Sequence, residues 1–258
     1  MSKTALITGA SSGIGLELAK IHAANNGNLI LVARSEEKLL SLKNELEKQF
    51  NVTVTAFVKD LSLPQSAQEL YELIKIKNLQ VDYLINNAGF GDFGLFVNNS
   101  LEKAQKMIHL NITSLTELCK LFLQDMSLQK VGKIMNVAST AAFQPGPMMA
   151  VYFATKAYVL SFSEALANEV KPLGITVTAL CPGITQSGFL SVAQMEESKM
   201  VKGRVLVTSK QVAEFGYKAM LAGKTVAIHK TLNYILANAN RFVPRNLSVK
   251  IARFVLDK

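Results

Sequence analysis

Tryptophan is absent from this 258-residue chain, and aromatic residues make up only 7% of it. Leucine, isoleucine, valine and alanine must therefore fill the interior, and with 49% hydrophobic residues they can. Cysteine occurs only as Cys119 and Cys181, far apart in the sequence. That argues against a disulfide framework and for two reduced, packed thiols in a cytoplasmic protein. No apolar run is long enough to span a bilayer. The first apolar run opens right after Met1-Ser2, so no signal peptide is expected.

Acidic residues are scarce in one region. Up to residue 198 the chain carries 16 Lys and Arg against 17 Asp and Glu; beyond it, 12 basic residues face only Glu214 and Asp257. The formal charge of +9 is thus a property of the last quarter. Such a segment is either a solvated basic face or a docking surface for something acidic. It brings no aromatic stacking platform and no nucleic-acid motif, so no nucleic-acid partner is expected.

What the chain does have is a glycine-rich turn. Thr8-Gly9-Ala10-Ser11-Ser12-Gly13-Ile14-Gly15 follows the apolar run Lys3-Thr4-Ala5-Leu6-Ile7 and precedes Leu16 to Ile21, which has helical spacing. Glycines on a strand-to-helix turn let backbone approach a phosphate, and the helix N-terminus offers it unpaired N–H groups and partial positive charge. The spacing is G-x-x-x-G-x-G, not the G-x-G-x-x-G dinucleotide fingerprint. On its own, the turn is compatible with a plain βα connection.

The rest of the chain alternates strand and helix. Strands are expected at 28–34, 52–58, 82–85, 133–137, 175–180 and 225–228. Helices are expected at 35–48, 64–77, 100–126 and 152–170. Most strands are continuous apolar runs, as when both faces are covered. The expectation is a single α/β domain, a doubly wound parallel sheet of about seven strands flanked by helices, a Rossmann fold. Residues 184–210 break the rhythm and are expected to form a substrate lid.

In such a sheet, ligands bind beyond the strands' C-terminal ends. There lie Gly9 to Gly15, Arg34, Asp60, Asn86 to Gly89, Ser139 and Pro182-Gly183. Tyr152 and Lys156 are one helical turn apart. An ammonium close to a phenol favours phenolate and lowers its pKa, giving an acid/base suited to a carbonyl or an alcohol. Tyr71 and Lys75 repeat the spacing, but inside a helix away from the rim, where they are expected to face solvent.

Thr8 to Gly15, Asn86-Asn87-Ala88-Gly89, Asn111, Ser139, Tyr152-Phe153-Ala154-Thr155-Lys156 and Pro182-Gly183 together resemble the short-chain dehydrogenase/reductase family in its single-domain form. The likeness extends from the N-terminus to about residue 190. It implies that Tyr152 is the general acid in carbonyl reduction and that Ser139 hydrogen-bonds the substrate oxygen. Lys156 would tune Tyr152 and bind the nicotinamide ribose, and Asn111 would hold a water that links Lys156 to solvent. Gly9, Ser11, Ser12, Gly13, Ile14 and Gly15 would cradle the cofactor. Asp60, with Leu61 beside it, would read the adenine, and Asn87, Ala88 and Gly89 would back the cofactor. Pro182, Gly183, Ile184 and Ser187 would lie near the carboxamide. Ser187 stands where many members have threonine.

The end of the second strand reads Ala33-Arg34-Ser35, without the carboxylate that accepts both ribose hydroxyls of NAD. A guanidinium there attracts a 2′-phosphate, so the expected cofactor is NADP(H). The expected activity is NADPH-dependent reduction of a ketone, an aldehyde or a lipid-like 3-oxoacyl thioester. The alternative is an NADP(H)-binding sensor without turnover. Phe90, Phe93, Met148, Met149, Phe189 and Met195 are candidates for an apolar pocket wall. In the basic segment 240–258, Leu247, Ile251 and Phe254 share a helical face beside Arg245, Lys250 and Arg253. That helix either seeks a membrane surface or packs on the body or a partner subunit, and packing is the favoured expectation. The basic region is also a candidate dock for an acidic acyl carrier. The helices at 100–126 and 152–171 resemble those through which relatives pair, so a homodimer or homotetramer is expected.

Overall fold

The computed structural model describes residues 2–193 and 206–256. Met195, and residues 194–205 of the expected lid, lie outside the described residues. The elements in chain order are β1 (Thr4–Thr8), α1 (Gly13–Ala24), β2 (Asn28–Ala33), α2 (Glu36–Phe50), β3 (Val54–Val58), α3 (Ser66–Ile76) and β4 (Tyr83–Asn86). Then come α4 (Leu101–Ile108), a π-helical stretch (His109–Ser114), α5 (Leu115–Gln129), β5 (Gly132–Val137), α6 (Ala150–Val170) and β6 (Ile175–Cys181). The last quarter holds β7 (Thr185–Gln186), α7 (Phe189–Val192), β8 (Val207–Thr208), α8 (Ser209–Leu221), β9 (Val226–Ile228), α9 (Thr231–Ala239) and α10 (Arg245–Leu256).

Seven strands form one parallel sheet in the order β3-β2-β1-β4-β5-β6-β9. The chain winds outward from β1 through β2 to β3, then returns to place β4 on the other side of β1. That reversal opens a crevice at the C-terminal ends of β1 and β4, where the glycine turn sits. Alternation along each strand divides two cores. Leu6, Ile30, Val32 and Leu84 pack with Leu70, Phe122 and Val159 from α3, α5 and α6. Ala5, Ile7, Leu29 and Leu31 pack with Leu18, Leu42 and Met220 from α1, α2 and α8. Both faces are apolar, which is why the strands read as continuous runs.

Several expectations change in detail. The helix expected at 100–126 is two α-helices joined by the π-helical stretch, and Asn111 sits in that stretch. Ser35 occupies the N-cap of α2 but makes no side-chain capping bond there. The irregular segment 184–210 contains a ladder that its sequence did not advertise: Thr185 and Gln186 pair in parallel with Val207 and Thr208. Cys119 and Cys181 are free and buried. Among the described residues, no helix is long and apolar enough to cross a membrane.

Candidate active site

The glycine turn is built by close approach. Gly9 and Gly13 hold φ of +66° and +58°, where side chains are strained. A Cβ on Gly15 would stand 2.3 Å from the Gly9 carbonyl oxygen, so α1 approaches β1 only because Gly15 is bare. Ser12 is extended at the N-cap of α1 without a side-chain capping bond. That leaves the first N–H groups of the helix for a ligand. Asn87 braces the turn: its amide donates to the carbonyls of Thr8 at 3.0 Å and Gly9 at 3.2 Å. Thr8 Oγ1 in turn accepts the N–H groups of Asn87 and Ala88, both at 3.0 Å. Ile14 packs against the core beneath.

At the end of β2 the Arg34 side chain is 72% exposed, with Nη1 4.0 Å from Asp60 Oδ2. The guanidinium is therefore free to turn to an anion. Asp60 Oδ1 accepts from the Ser62 N–H at 2.9 Å and its hydroxyl at 2.7 Å, which fixes the carboxylate beyond β3. Leu61 is buried, and its carbonyl accepts from Ser114 Oγ at 2.6 Å. Ser11 is half-buried and Ser12 exposed on the turn.

Across the crevice, α6 presents Tyr152 and Lys156, both buried. Lys156 Nζ lies 5.8 Å from the Tyr152 ring centroid and donates to the Val137 carbonyl at 2.7 Å. Among the described residues no carboxylate pairs with it. Burial lowers its pKa from 10.5 to about 8. For Tyr152 the expected fall does not occur. Burial pushes the phenol up to about 12, against the downward pull of a hydrogen bond with the Ser139 side chain. Desolvation wins because the ring is closed in by Phe153 and by Phe189, whose centroid is 5.1 Å away. Ser139 is held at the end of β5 by its contact with the Pro182 carbonyl at 3.5 Å and by the Ala141 N–H at 3.1 Å.

Asn111 is buried beneath this group. Its amide donates to the Phe90 carbonyl at 3.1 Å and to Thr155 Oγ1 at 3.0 Å, and its Oδ1 accepts from the Phe90 N–H at 3.3 Å. A Cβ on Gly89 would come within 3.0 Å of Asn111 Oδ1 and 3.5 Å of Lys156 Nζ. Gly183 would likewise meet Asn233 Nδ2 at 2.6 Å, and Gly13 would meet Ser187 Cβ at 3.3 Å. The segment after β6, with Ile184 half-buried and Ser187 over the turn, thus closes one side of the crevice. Phe90, Phe93, Met148, Met149 and Phe189 form one apolar cluster with Tyr152 and Leu256.

The sequence model of the family described as short chain dehydrogenase matches residues 3–198. The chain belongs to that family. The 17-beta-hydroxysteroid dehydrogenase type 3 of Mus musculus is 33% identical over 186 residues, 70% of this chain and 60% of its own length. The Very-long-chain 3-oxoacyl-CoA reductase of Rattus norvegicus is 29% identical over 256 residues, 95% of this chain and 77% of that one. A solved short-chain dehydrogenase from Sphingobium yanoikuyae, in complex with NADPH, superimposes with a TM-score of 0.84 at 30% identity, over 93% of this chain and 94% of that one.

Within this short chain dehydrogenase, the second Tyr-x-x-x-Lys pair is a useful contrast. Lys75 Nζ is 5.7 Å from the Tyr71 ring centroid, almost the same distance as in the buried pair. But both Tyr71 and Lys75 bond Asp125, at 3.2 Å and 3.1 Å. The expectation that Tyr71 faces solvent is corrected: its ring packs edge-on to Phe122 and is half-buried. Helix spacing sets the distance in both cases; burial and the missing carboxylate set Lys156 apart. Sequence reading also missed a buried polar chain under the site. Asn86 Nδ2 donates to Asn136 Oδ1 at 2.9 Å, and Asn136 Nδ2 donates to Ser163 Oγ on α6 at 2.9 Å. The signal was there: two asparagines lie at or next to the ends of adjacent apolar strands, and they pair in register.

Proposed function

We propose that this short chain dehydrogenase reduces a ketone or aldehyde on an apolar, lipid-like molecule with NADPH. One observation carries the reading: a buried lysine, without a carboxylate partner among the described residues, stands beside a buried tyrosine that hydrogen-bonds Ser139. Burying an unpaired ammonium is costly, and such arrangements cluster at reactive sites. The cradle suits a dinucleotide. Its bare glycines admit backbone contact, the N-terminus of α1 offers N–H groups to a pyrophosphate, and Arg34 offers a guanidinium to a 2′-phosphate. The relative in complex with NADPH supports the same cofactor.

When bound, NADPH supplies the hydride that such a reduction needs. Tyr152 supplies the proton. With its pKa near 12 in the free chain, the phenol stays protonated at working pH and is ready to donate to a carbonyl oxygen. The Ser139 hydroxyl donates a second hydrogen bond to that oxygen and orients it. The ammonium of Lys156 then stabilises the phenolate left behind. Asn111 holds the Phe90 backbone and Thr155, and so fixes the wall next to Lys156. The cluster of Phe90, Phe93, Met148, Met149 and Phe189 supports an apolar substrate. Very-long-chain 3-oxoacyl-CoA and steroid activities in relatives' names point the same way.

The proposed location is the cytoplasm, supported by two unpaired, buried thiols. The proposed homodimer or homotetramer would pair through the helices at 100–126 (α4 and α5) and 152–171 (α6); on α6, Tyr158 and Phe162 stack near the surface. The reductase reading is tested by NADPH oxidation over ketones, aldehydes, steroids and 3-oxoacyl thioesters, with Tyr152→Phe as the blank. Cofactor binding without turnover on any of them would favour a sensor.

A further inference from the structure

The last two helices expose more apolar surface than a soluble helix normally does. On α9, Leu232 is 65%, Ile235 55% and Leu236 59% exposed. Phe242, in the single turn that joins it to α10, is 88% exposed. On α10, Leu247, Ile251 and Val255 recur every fourth residue and are all exposed, while Ser248, Ala252 and Leu256 are buried against the body. The favoured expectation of packing therefore holds for one face of α10 only. Its other apolar face is turned outward. Asn240, which donates to the Phe143 carbonyl and accepts from Ser248 Oγ, ties the joint to the body, so the exposure is not that of a loose tail.

Charge decides what covers this face. From Phe215 to Leu256 the chain has seven Lys and Arg and no acid. A second copy would meet the patch with itself across a two-fold axis and bring like charges together. An apolar stripe flanked by lysine and arginine, with no acid among them, is instead the pattern that lies in the headgroup layer of an anionic bilayer. We propose that α9 and α10 dock the protein on an anionic membrane surface.

The docked face adjoins the apolar cluster that contains Tyr152. Arg253 Nη1 contacts Met148 Sδ at 3.1 Å. Arg253 lines a cavity of about 250 Å³ with Leu95, Phe96, Met107, Met148 and Val151. Leu95 and Phe96 are themselves exposed at its mouth, and Leu256 packs in the same cluster as Tyr152. Docking through α10 thus turns the cavity mouth toward the lipid, from which an amphiphilic carbonyl compound enters without crossing water. This last step rests on the proposed reductase activity; the docking does not.

The test is co-sedimentation of the full chain with vesicles of phosphatidylcholine alone and of phosphatidylcholine mixed with phosphatidylserine. Binding is expected only to the mixture and is expected to weaken with salt. Each basic residue near the surface is worth about fivefold in partitioning, so Arg241→Gln, Arg245→Gln and Lys250→Gln together should lower it roughly a hundredfold. Phe242→Ser with Leu247→Ser and Ile251→Ser should abolish binding even at low salt. Circular dichroism and turnover of a soluble ketone, both unchanged, distinguish lost docking from lost folding. No binding by the folded wild type at low salt overturns the proposal. So does binding indifferent to the serine variants, which means charge alone. So too does a concentration-dependent dimer that those variants break, or retention on an acidic acyl carrier protein with no vesicle binding.

Discussion

Replacing Lys156 with methionine separates what the residue costs the fold from what it does for the reaction. The side chain is buried and donates to the Val137 carbonyl. Its pKa falls from 10.5 to about 8. At about 1.4 kcal/mol for each tenfold change in proton affinity, the charged form loses about 3 kcal/mol of stability at neutral pH. Methionine removes that penalty but leaves the Val137 carbonyl without its donor, a loss of about 1–3 kcal/mol. The net change at pH 7 is therefore small, and its pH dependence is the diagnostic quantity. With a depressed folded pKa, Lys156 binds more protons in the unfolded chain between pH 8 and 10.5, so its contribution to stability, and the difference between wild type and Lys156→Met, rises with pH across that window. The linkage relation gives a wild-type gain over Lys156→Met of about 2 kcal/mol between about pH 7 and pH 9.5. Tyr152, whose folded pKa is raised from 10 to about 12, loses stability only above that range. The assay is urea unfolding of both proteins, without cofactor, at several pH values. Parallel stability curves would refute the claim that Lys156 is buried as an uncompensated cation.

Other substitutions probe the rest of the site. Arg34→Ala should weaken NADPH binding about tenfold to a hundredfold and leave NADH binding unchanged, as read by fluorescence titration of both. Gly15→Ala drives a Cβ to 2.3 Å from the Gly9 carbonyl, so α1 must shift. It should cost about 1–3 kcal/mol in thermal unfolding and most of the cofactor affinity. Asn136→Ala breaks the buried bonds to Asn86 and Ser163 and should destabilise by about 2–4 kcal/mol in urea. Tyr71→Phe should change stability by less than about 1 kcal/mol and turnover not at all, because its lysine is already held by Asp125.

Much of this was legible in the residues because the physics is local. Continuous apolar runs reported a sheet covered on both faces, and Leu6 and Ile7 do face opposite cores. The glycine turn could be read because only bare backbone fits where Gly9 and Gly15 meet. The Tyr152–Lys156 pair was legible from helical spacing, but its electrostatics were not. A four-residue interval says an ammonium is near a phenol; it does not say that burial outweighs it. That balance depends on Phe153 and Phe189, the latter distant in sequence. The β7–β8 ladder was missed for the same reason, since two-residue strands have no period to detect. The outward face of α10 could not be separated from its packed face by sequence. Both carry apolar residues, and only the body decides which is covered.

The central claim is that the Tyr152 phenol gives its proton to a carbonyl. Its most direct measurement is single-turnover oxidation of NADPH by the best ketone found, for wild type and Tyr152→Phe, alongside cofactor titration of each. The account predicts equal NADPH affinity and a rate at least about a hundredfold lower in the variant. An undiminished rate in Tyr152→Phe would contradict it.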